Sequence, residues 1–186
     1  MKILGCLINL VPYHVARWSA VAAHADLQVS ILQMRAQDDF KILESNSGQY
    51  PFEVHTLGIK EKAISADELL AKVRTVFDRI SPDVVVLNGY SFPICLALLS
   101  LASRRGIPAV VCSESNQYDF QRKWLTEVIK SRIVRLCQAG LVGGTPQKNY
   151  LVELGIPANR VFHGYNAVDN SHFSMAQTKR ERPKRN

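Results

Sequence analysis

Six polar side chains stand just beyond three apolar runs of strand length. His14 and Arg17 follow Ile3–Leu10, Asn88 and Tyr90 follow Asp83–Leu87, and Glu114 and Asn116 follow Ala109–Cys112. A carboxylate such as Glu114 can orient a hydroxyl or take its proton as a general base. Asn88, Tyr90 and Asn116 can hydrogen-bond hydroxyl groups, while His14 and Arg17 can contact a polar group or a phosphate. Each also has a plainer reading. His14 and Arg17 read equally as a solvated loop histidine and a surface arginine, Asn88-Gly89 as ordinary turn chemistry, and Glu114 as a helix cap or the partner of a nearby arginine.

Several common chemistries lack their residues. The first strand is followed by Leu10-Val11-Pro12-Tyr13-His14, not by the glycines that let backbone approach a dinucleotide pyrophosphate at a helix N-terminus. There is no Walker A sequence and no Gly-x-Ser-x-Gly elbow. His14, His24, His55, His163 and His172 have no metal-ligand spacing. Cys6, Cys95, Cys112 and Cys137 stand far apart with no CxxC pair, which predicts free thiols in a reducing compartment and neither a disulfide framework nor a zinc site.

The elements that must position these side chains alternate. Ile3–Leu10, Leu27–Met34, Phe52–Leu57, Asp83–Leu87, Ala109–Cys112, Leu141–Gly143 and Arg160–Phe162 read as strands, with Phe52–Leu57 near a sheet edge because its side chains alternate apolar and polar. Helices are predicted over Val15–Ala25, after the capping box Ser65-Ala66-Asp67-Glu68 and up to Ser81-Pro82, over Ser91–Arg105, over Asp119–Cys137, and from the N-cap Thr145 to the C-cap Gly155. In the Asp119–Cys137 helix, Phe120, Trp124, Val128, Ile129, Ile133 and Leu136 form the expected core-facing stripe. Residues 35–50 read as an exposed polar loop. Strands and helices in this order imply right-handed crossovers and a doubly wound, mostly parallel α/β sheet with helices on both faces. Ligands of such sheets sit outside the carboxyl ends of the strands, where the six polar residues fall.

The chain has 186 residues, enough for one domain with a substantial core. Its formal charge of +7 imitates a nucleic-acid binder, but Lys179, Arg180, Arg182, Lys184 and Arg185 with one acid, Glu181, place +4 of it in the last eight positions. The remaining +3 is spread over the preceding residues, so nucleic acid is not expected as a partner. Residues 1–173 therefore form the domain and 174–186 a basic linker or tail. The start, Lys2 and an apolar run ahead of Ala23-His24-Ala25, has some likeness to a signal peptide but reads better as the first strand. No apolar stretch reaches the roughly 20 residues that span a bilayer.

Four stretches, in order, resemble the amino-terminal domain of glycosyltransferase family 4, a retaining family of the GT-B fold. They are Ser81–Gly89, Gly106–Val111, Ala139–Thr145, and the run Leu154–Val161 continued by Gly164–Asp169 and Phe173. The chain departs from the family at Pro12-Tyr13-His14, where a glycine-rich loop is usual, and at Asn88-Gly89-Tyr90, where many members carry a histidine.

The resemblance implies an acceptor-side, Rossmann-like lobe of a two-domain enzyme. That enzyme would move a sugar from a nucleotide-diphosphate donor to a saccharide, lipid or small-molecule acceptor. On this reading Glu114 and Asn88 are the candidate catalytic residues, and His14, Arg17, Tyr90 and Asn116 bind the acceptor. Asn166 and Asp169 match an Asn-x-x-Asp corner and form the interdomain hinge. The nucleotide sugar is a co-substrate, and no cofactor or metal belongs to this chain. The donor-binding domain would be supplied in cis or in trans, the chain stopping about where its first strand would begin. The expected location is cytoplasmic, with peripheral contact at the inner membrane face through the helix at 119–137, where Arg122, Lys123, Lys130, Arg132 and Arg135 cluster. Two other readings are a stand-alone binding module of the same fold and one half of a nucleotide-sugar epimerase.

Overall fold

The computed structural model describes residues 1–35, 50–59, 64–119 and 122–167. Seven strands, β1 (Lys2–Asn9), β2 (Gln28–Arg35), β3 (Glu53–Thr56), β4 (Val84–Asn88), β5 (Ala109–Ser113), β6 (Ala139–Val142) and β7 (Val161–His163), form one sheet in the order β3-β2-β1-β4-β5-β6-β7. All six pairings are parallel. Five helices connect them: α1 (Pro12–Ala22), α2 (Ala66–Ile80), α3 (Pro93–Arg104), α4 (Trp124–Val134) and α5 (Thr145–Leu154). The chain is thus a doubly wound, Rossmann-like α/β domain, with β3 at one edge of the sheet as its alternating pattern predicts.

Successive strand residues point to opposite faces, and this alternation sorts the core into two layers. Leu4, Cys6, Leu32 and Met34 join a large cluster with Leu69, Val73 and Phe77 of α2, Leu98 of α3 and Leu151 of α5. Leu7, Val29 and Ile31 point the other way and pack with Val15 and Trp18 of α1. All four cysteines are free and buried within or beside these layers.

Helix ends follow local chemistry. At the start of α2 the Ser65 hydroxyl accepts a hydrogen bond from Glu68 N–H at 3.2 Å. Ser81, at φ +49°, ends the helix in the left-handed region. Helix α1 starts at Pro12, three residues before the predicted Val15, because a proline in the first turn fixes a helical φ and gives up an N–H that would have no partner. The N-cap of α5 is Gly144, not Thr145, which is the first helical residue, and the helix ends as expected at Gly155.

The largest departure from the sequence reading is α4. It spans Trp124–Val134 rather than Asp119–Cys137, and only Val134 within it is buried. Trp124, Val128, Ile129 and Leu136, read as core-facing, are exposed. Of the predicted stripe, among the described residues, Ile133 does pack against the core, beside Val134, which the stripe did not include. The predicted loop at 35–50 lies almost wholly outside the described residues, as do Phe120, Asp169, Phe173 and the basic tail.

Candidate active site

Strand order reverses beside β1: the chain moves outward through β2 and β3, then returns to place β4 on β1's other side. Loops leaving β1 and β4 therefore diverge and open a crevice at the strands' carboxyl ends. A cleft of about 630 Å³ lies beside it, over the ends of β4 and β5, lined by Tyr13, the Asn88–Phe92 turn, Cys112–Asn116, the start of α4, Tyr150 and Tyr165. Asn88, Tyr90, Glu114 and Asn116 all line it. His14 and Arg17 do not appear among its lining residues.

Each wall is fixed by its strand. Asn88 ends β4 in register with Cys112 of β5. Gly89 turns the chain at φ +105°, a backbone state open to glycine, and directs Tyr90 inward. Tyr90 is buried, with Ser115 and Tyr150 within hydrogen-bonding reach, and burial pushes its hydroxyl up to about 12. It is therefore a neutral donor at any ordinary pH. Glu114 projects into the cleft from the end of β5 and is exposed, so its carboxylate is open to a ligand. Asn116 is committed to its own loop. Its side-chain amide donates to Asp119 Oδ1 at 2.6 Å, its backbone N–H to Asp119 Oδ2 at 2.8 Å, and its Oδ1 accepts from Tyr118 N–H at 2.7 Å. This closed turn holds Glu114 and Ser115 in place.

The far wall carries a charge network that the sequence did not single out. Glu127 accepts hydrogen bonds from Lys130 Nζ, Tyr150 OH and Arg122 Nη2, each at 2.9 Å, and Arg122 also reaches Glu153 at 3.1 Å. Burial works to raise the Glu127 pKa, but the hydrogen bonds from Lys130 and Tyr150 and the two cations outweigh it and hold the carboxyl below its usual range. Two of the five cations counted for the helix at 119–137, Arg122 and Lys130, are thus turned into the cleft wall.

Tyr165, also missed, closes the floor. Its hydroxyl donates to Asn88 Oδ1, and its ring stacks under the Arg17 guanidinium at 4.7 Å. Arg17 lies between Tyr165 and Tyr13 and donates from Nε to the Ala167 carbonyl at 2.8 Å. Arg17 therefore fastens α1 to the segment leaving β7. Asn166 packs on the end of β6, where a Cβ at Gly143 would come within 2.5 Å of its amide nitrogen. A close-approach glycine thus stands opposite the predicted hinge residue.

His14 is buried, with Nδ1 3.2 Å from the Asn9 carbonyl oxygen and Nε2 without a partner among the described residues. Burial, reinforced by the nearby Arg17 charge, brings its pKa down to about 4. A histidine lowered in the folded state leaves the unfolded chain to bind the proton first. Stability should then fall as pH drops from about 6.5, the free-histidine value, toward about 4. His14→Gln is expected to flatten that decline, measured by urea unfolding at pH 7.5, 6, 5 and 4.5. His55, also lowered chiefly by burial, and toward pH 4.5 the Glu127 carboxylate, held low by its partners, would contribute to the slope that remains. Identical slopes in both proteins would contradict a buried neutral His14.

Among the described residues no group of three histidine, cysteine or acidic side chains could hold a metal ion, and no helix is long and apolar enough to cross a membrane.

No protein-family model matches the chain, and no curated protein matches it in sequence. Solved structures do match. The UDP-GlcNAc 2-epimerase of Neisseria meningitidis, bound to UDP-GlcNAc, superposes with a TM-score of 0.62 at 18% identity over 97% of this chain and 50% of its own. The UDP-N-acetylglucosamine 2-epimerase of Rickettsia bellii gives 0.61 at 18% identity over 88% and 44%. The Methanocaldococcus jannaschii UDP-GlcNAc 2-epimerase, in complex with UDP-GlcNAc and UDP, gives 0.60 at 20% over 88% and 46%. This chain thus spans about half the length of the structures it matches, and at these identities what it shares with that half is a Rossmann-like α/β fold.

Proposed function

We propose that the chain forms one lobe of a two-lobed enzyme acting on a nucleotide-activated sugar, and that the reaction is epimerisation of the sugar. The observation that carries this reading is the position of the cleft. It opens beside the strand-order reversal, over the carboxyl ends of β4 and β5, in a domain that superposes, over 97% of its length, on half of an epimerase bound to UDP-GlcNAc. The cleft's polar groups suit a sugar. Tyr90 and Ser115 can donate to ring hydroxyls, Asn88 can do so from Nδ2 while Tyr165 holds its Oδ1, and Glu114 is an open carboxylate.

Removal of the proton from C2 balances if the nucleotide diphosphate leaves C1 and a C1–C2 double bond forms; a proton added to C2 from the opposite face, with the diphosphate returning to C1, then gives the inverted sugar. A carboxylate that takes the first proton, the role assigned here to Glu114, supplies half of that exchange. The second lobe would contribute preorganised hydrogen-bond donors for the nucleotide diphosphate. Glycosyl transfer to an acceptor is the second reading, favoured by the run from Leu154 to Val161 and the Tyr165-Asn166 corner that resemble family 4.

The two reactions separate in one assay of the two-lobed protein given UDP-GlcNAc in D2O and no acceptor. Epimerisation yields the C2 epimer carrying deuterium at C2, whereas transfer yields no epimer. The 186-residue chain alone is expected to leave UDP-GlcNAc unchanged. Turnover by the isolated chain would contradict the need for an opposing lobe.

A further inference from the structure

Helix α4 has an apolar face turned away from the domain. Trp124 is 78% exposed, Leu125 55%, Ile129 52% and Val128 39%, and Leu136 just beyond the helix is 44% exposed. At 100° per residue these side chains fall on one side of the helix, opposite Glu127, Lys130 and Val134, which face the cleft and the core. A contiguous apolar surface of this kind on a folded domain marks an interaction site.

The charges on this side are all of one sign. Arg132 lies within the face, Arg135 beside it, and Lys123 at its leading end, all exposed. None of the three forms an ion pair among the described residues, whereas Arg122, Lys130 and the nearby acids are consumed inside the cleft wall. The face itself carries no carboxylate. A second copy docked on it about a twofold axis would bring Arg132 toward its own mate with no acid to receive it. A lobe placed across the carboxyl ends of the strands would not cover it either. Helix α4 runs back along the domain for about 16 Å, from the cleft mouth to the amino end of β6, and Leu136 lies at that far end.

We propose that this face docks on an anionic lipid surface. Trp124, Leu125, Val128, Ile129 and Leu136 would enter the boundary between headgroups and acyl chains, with Lys123, Arg132 and Arg135 at the level of the lipid phosphates. Lys123 and Thr126 also line the cleft, so its mouth would open at the headgroup plane. The inference stands on α4 alone and does not depend on which sugar reaction the cleft performs.

The test is flotation of the full chain with vesicles of phosphatidylcholine alone and with 30% phosphatidylglycerol. It uses the wild type, L125S/I129S, R132E, and a chain with the five tail cations Lys179, Arg180, Arg182, Lys184 and Arg185 replaced by serine. All the altered side chains on α4 are exposed, so folding, checked by circular dichroism, should persist. Binding is expected only with phosphatidylglycerol, to weaken at 0.5 M salt, to fall at least about tenfold in L125S/I129S and R132E, and to survive in the tail variant. Absence of binding to phosphatidylglycerol vesicles overturns the proposal. So does binding that the tail variant loses and the α4 variants keep, or a dimer in sedimentation that L125S/I129S dissolves.

Discussion

Replacing Glu114 by glutamine is expected to lower turnover of the two-lobed enzyme by about 100- to 10,000-fold, the range over which a positioned general acid or base contributes. Glu114→Gln keeps the shape and hydrogen-bonding reach of the side chain but removes the ability to accept a proton. Because Glu114 is exposed, the protein's stability should change by no more than about 0.5 kcal/mol. Loss of activity without loss of fold is therefore the signature, read as kcat with UDP-GlcNAc alongside a thermal melt. Glu114→Asp, which retracts the carboxylate, should fall between the two. A Glu114→Gln enzyme within threefold of wild type would remove this residue from the chemistry.

The largest effect on folding is expected from Phe77→Ala. Phe77 is 2% exposed, lies on the inward face of α2 within the main core layer, and carries the Arg105 guanidinium at 5.1 Å over its ring. Removing the ring loses its burial and leaves a cavity, at a cost of about 3–5 kcal/mol. That is a large part of the roughly 5–15 kcal/mol that holds a domain folded, and corresponds to a melting temperature lower by roughly 6–20 °C. The contrast is Trp124→Ala. An equally large aromatic is removed there from an exposed face, and stability should move by no more than about 0.5 kcal/mol. A Phe77→Ala protein that lost less than about 1 kcal/mol would contradict the packing of α2 against α3 and β1.

The parallel sheet was legible because its strands announce themselves. Val84-Val85-Val86-Leu87 and Ala109-Val110-Val111-Cys112 are buried on one face, at least half-buried on the other and read as apolar runs, and turns such as Asn88-Gly89 and Gly155 punctuate them. Knowing the order of strands was enough to bring Asn88, Tyr90, Glu114 and Asn116 to one edge. Helix α4 was misread for a physical reason. Apolar side chains occur around much of it, and periodicity alone does not say which of them meet the core. Ile133, from the predicted stripe, and Val134, outside it, are the inward pair, while Trp124, Val128, Ile129 and Leu136 face out. His14 and Arg17 were placed at the correct strand end. Whether a side chain leaving a strand tip faces the cleft or the interior depends on where α1 begins, and starting the helix at Pro12 turns His14 inward. Tyr165 and the Glu127–Lys130–Tyr150 network had no local signal, since their partners lie at least 20 residues apart in the chain, apart from the one-turn pair Glu127 and Lys130. Gln33 is similar: it accepts from Leu10 N–H and donates to Thr56, both at 2.8 Å, tying the end of β1 to β3 beneath the α1 start.

The sequence favoured glycosyl transfer and kept one half of a nucleotide-sugar epimerase as an alternative, whereas the solved structures that superpose on the chain are epimerases. The matched motifs are mostly strands and their flanking turns, which set the fold. Ordered strand motifs therefore identify the lobe more readily than the reaction. The choice between transfer and epimerisation rests on how many substrates the cleft must admit, which the D2O assay reads directly.

The central claim is that the cleft over the carboxyl ends of β4 and β5 receives the sugar of a nucleotide sugar. Amide chemical shifts of the 15N-labelled chain, followed while UDP-GlcNAc is added to millimolar concentration, test it most directly. The cleft predicts saturable shifts concentrated at Asn88–Tyr90, Glu114–Asn116 and Tyr165, weakened in Tyr90→Phe. Shifts confined to the smaller depression at the opposite strand ends, lined by Lys2, Gln28, Ser30, Glu53, Arg79 and Ile80, or no shifts at all, would contradict it.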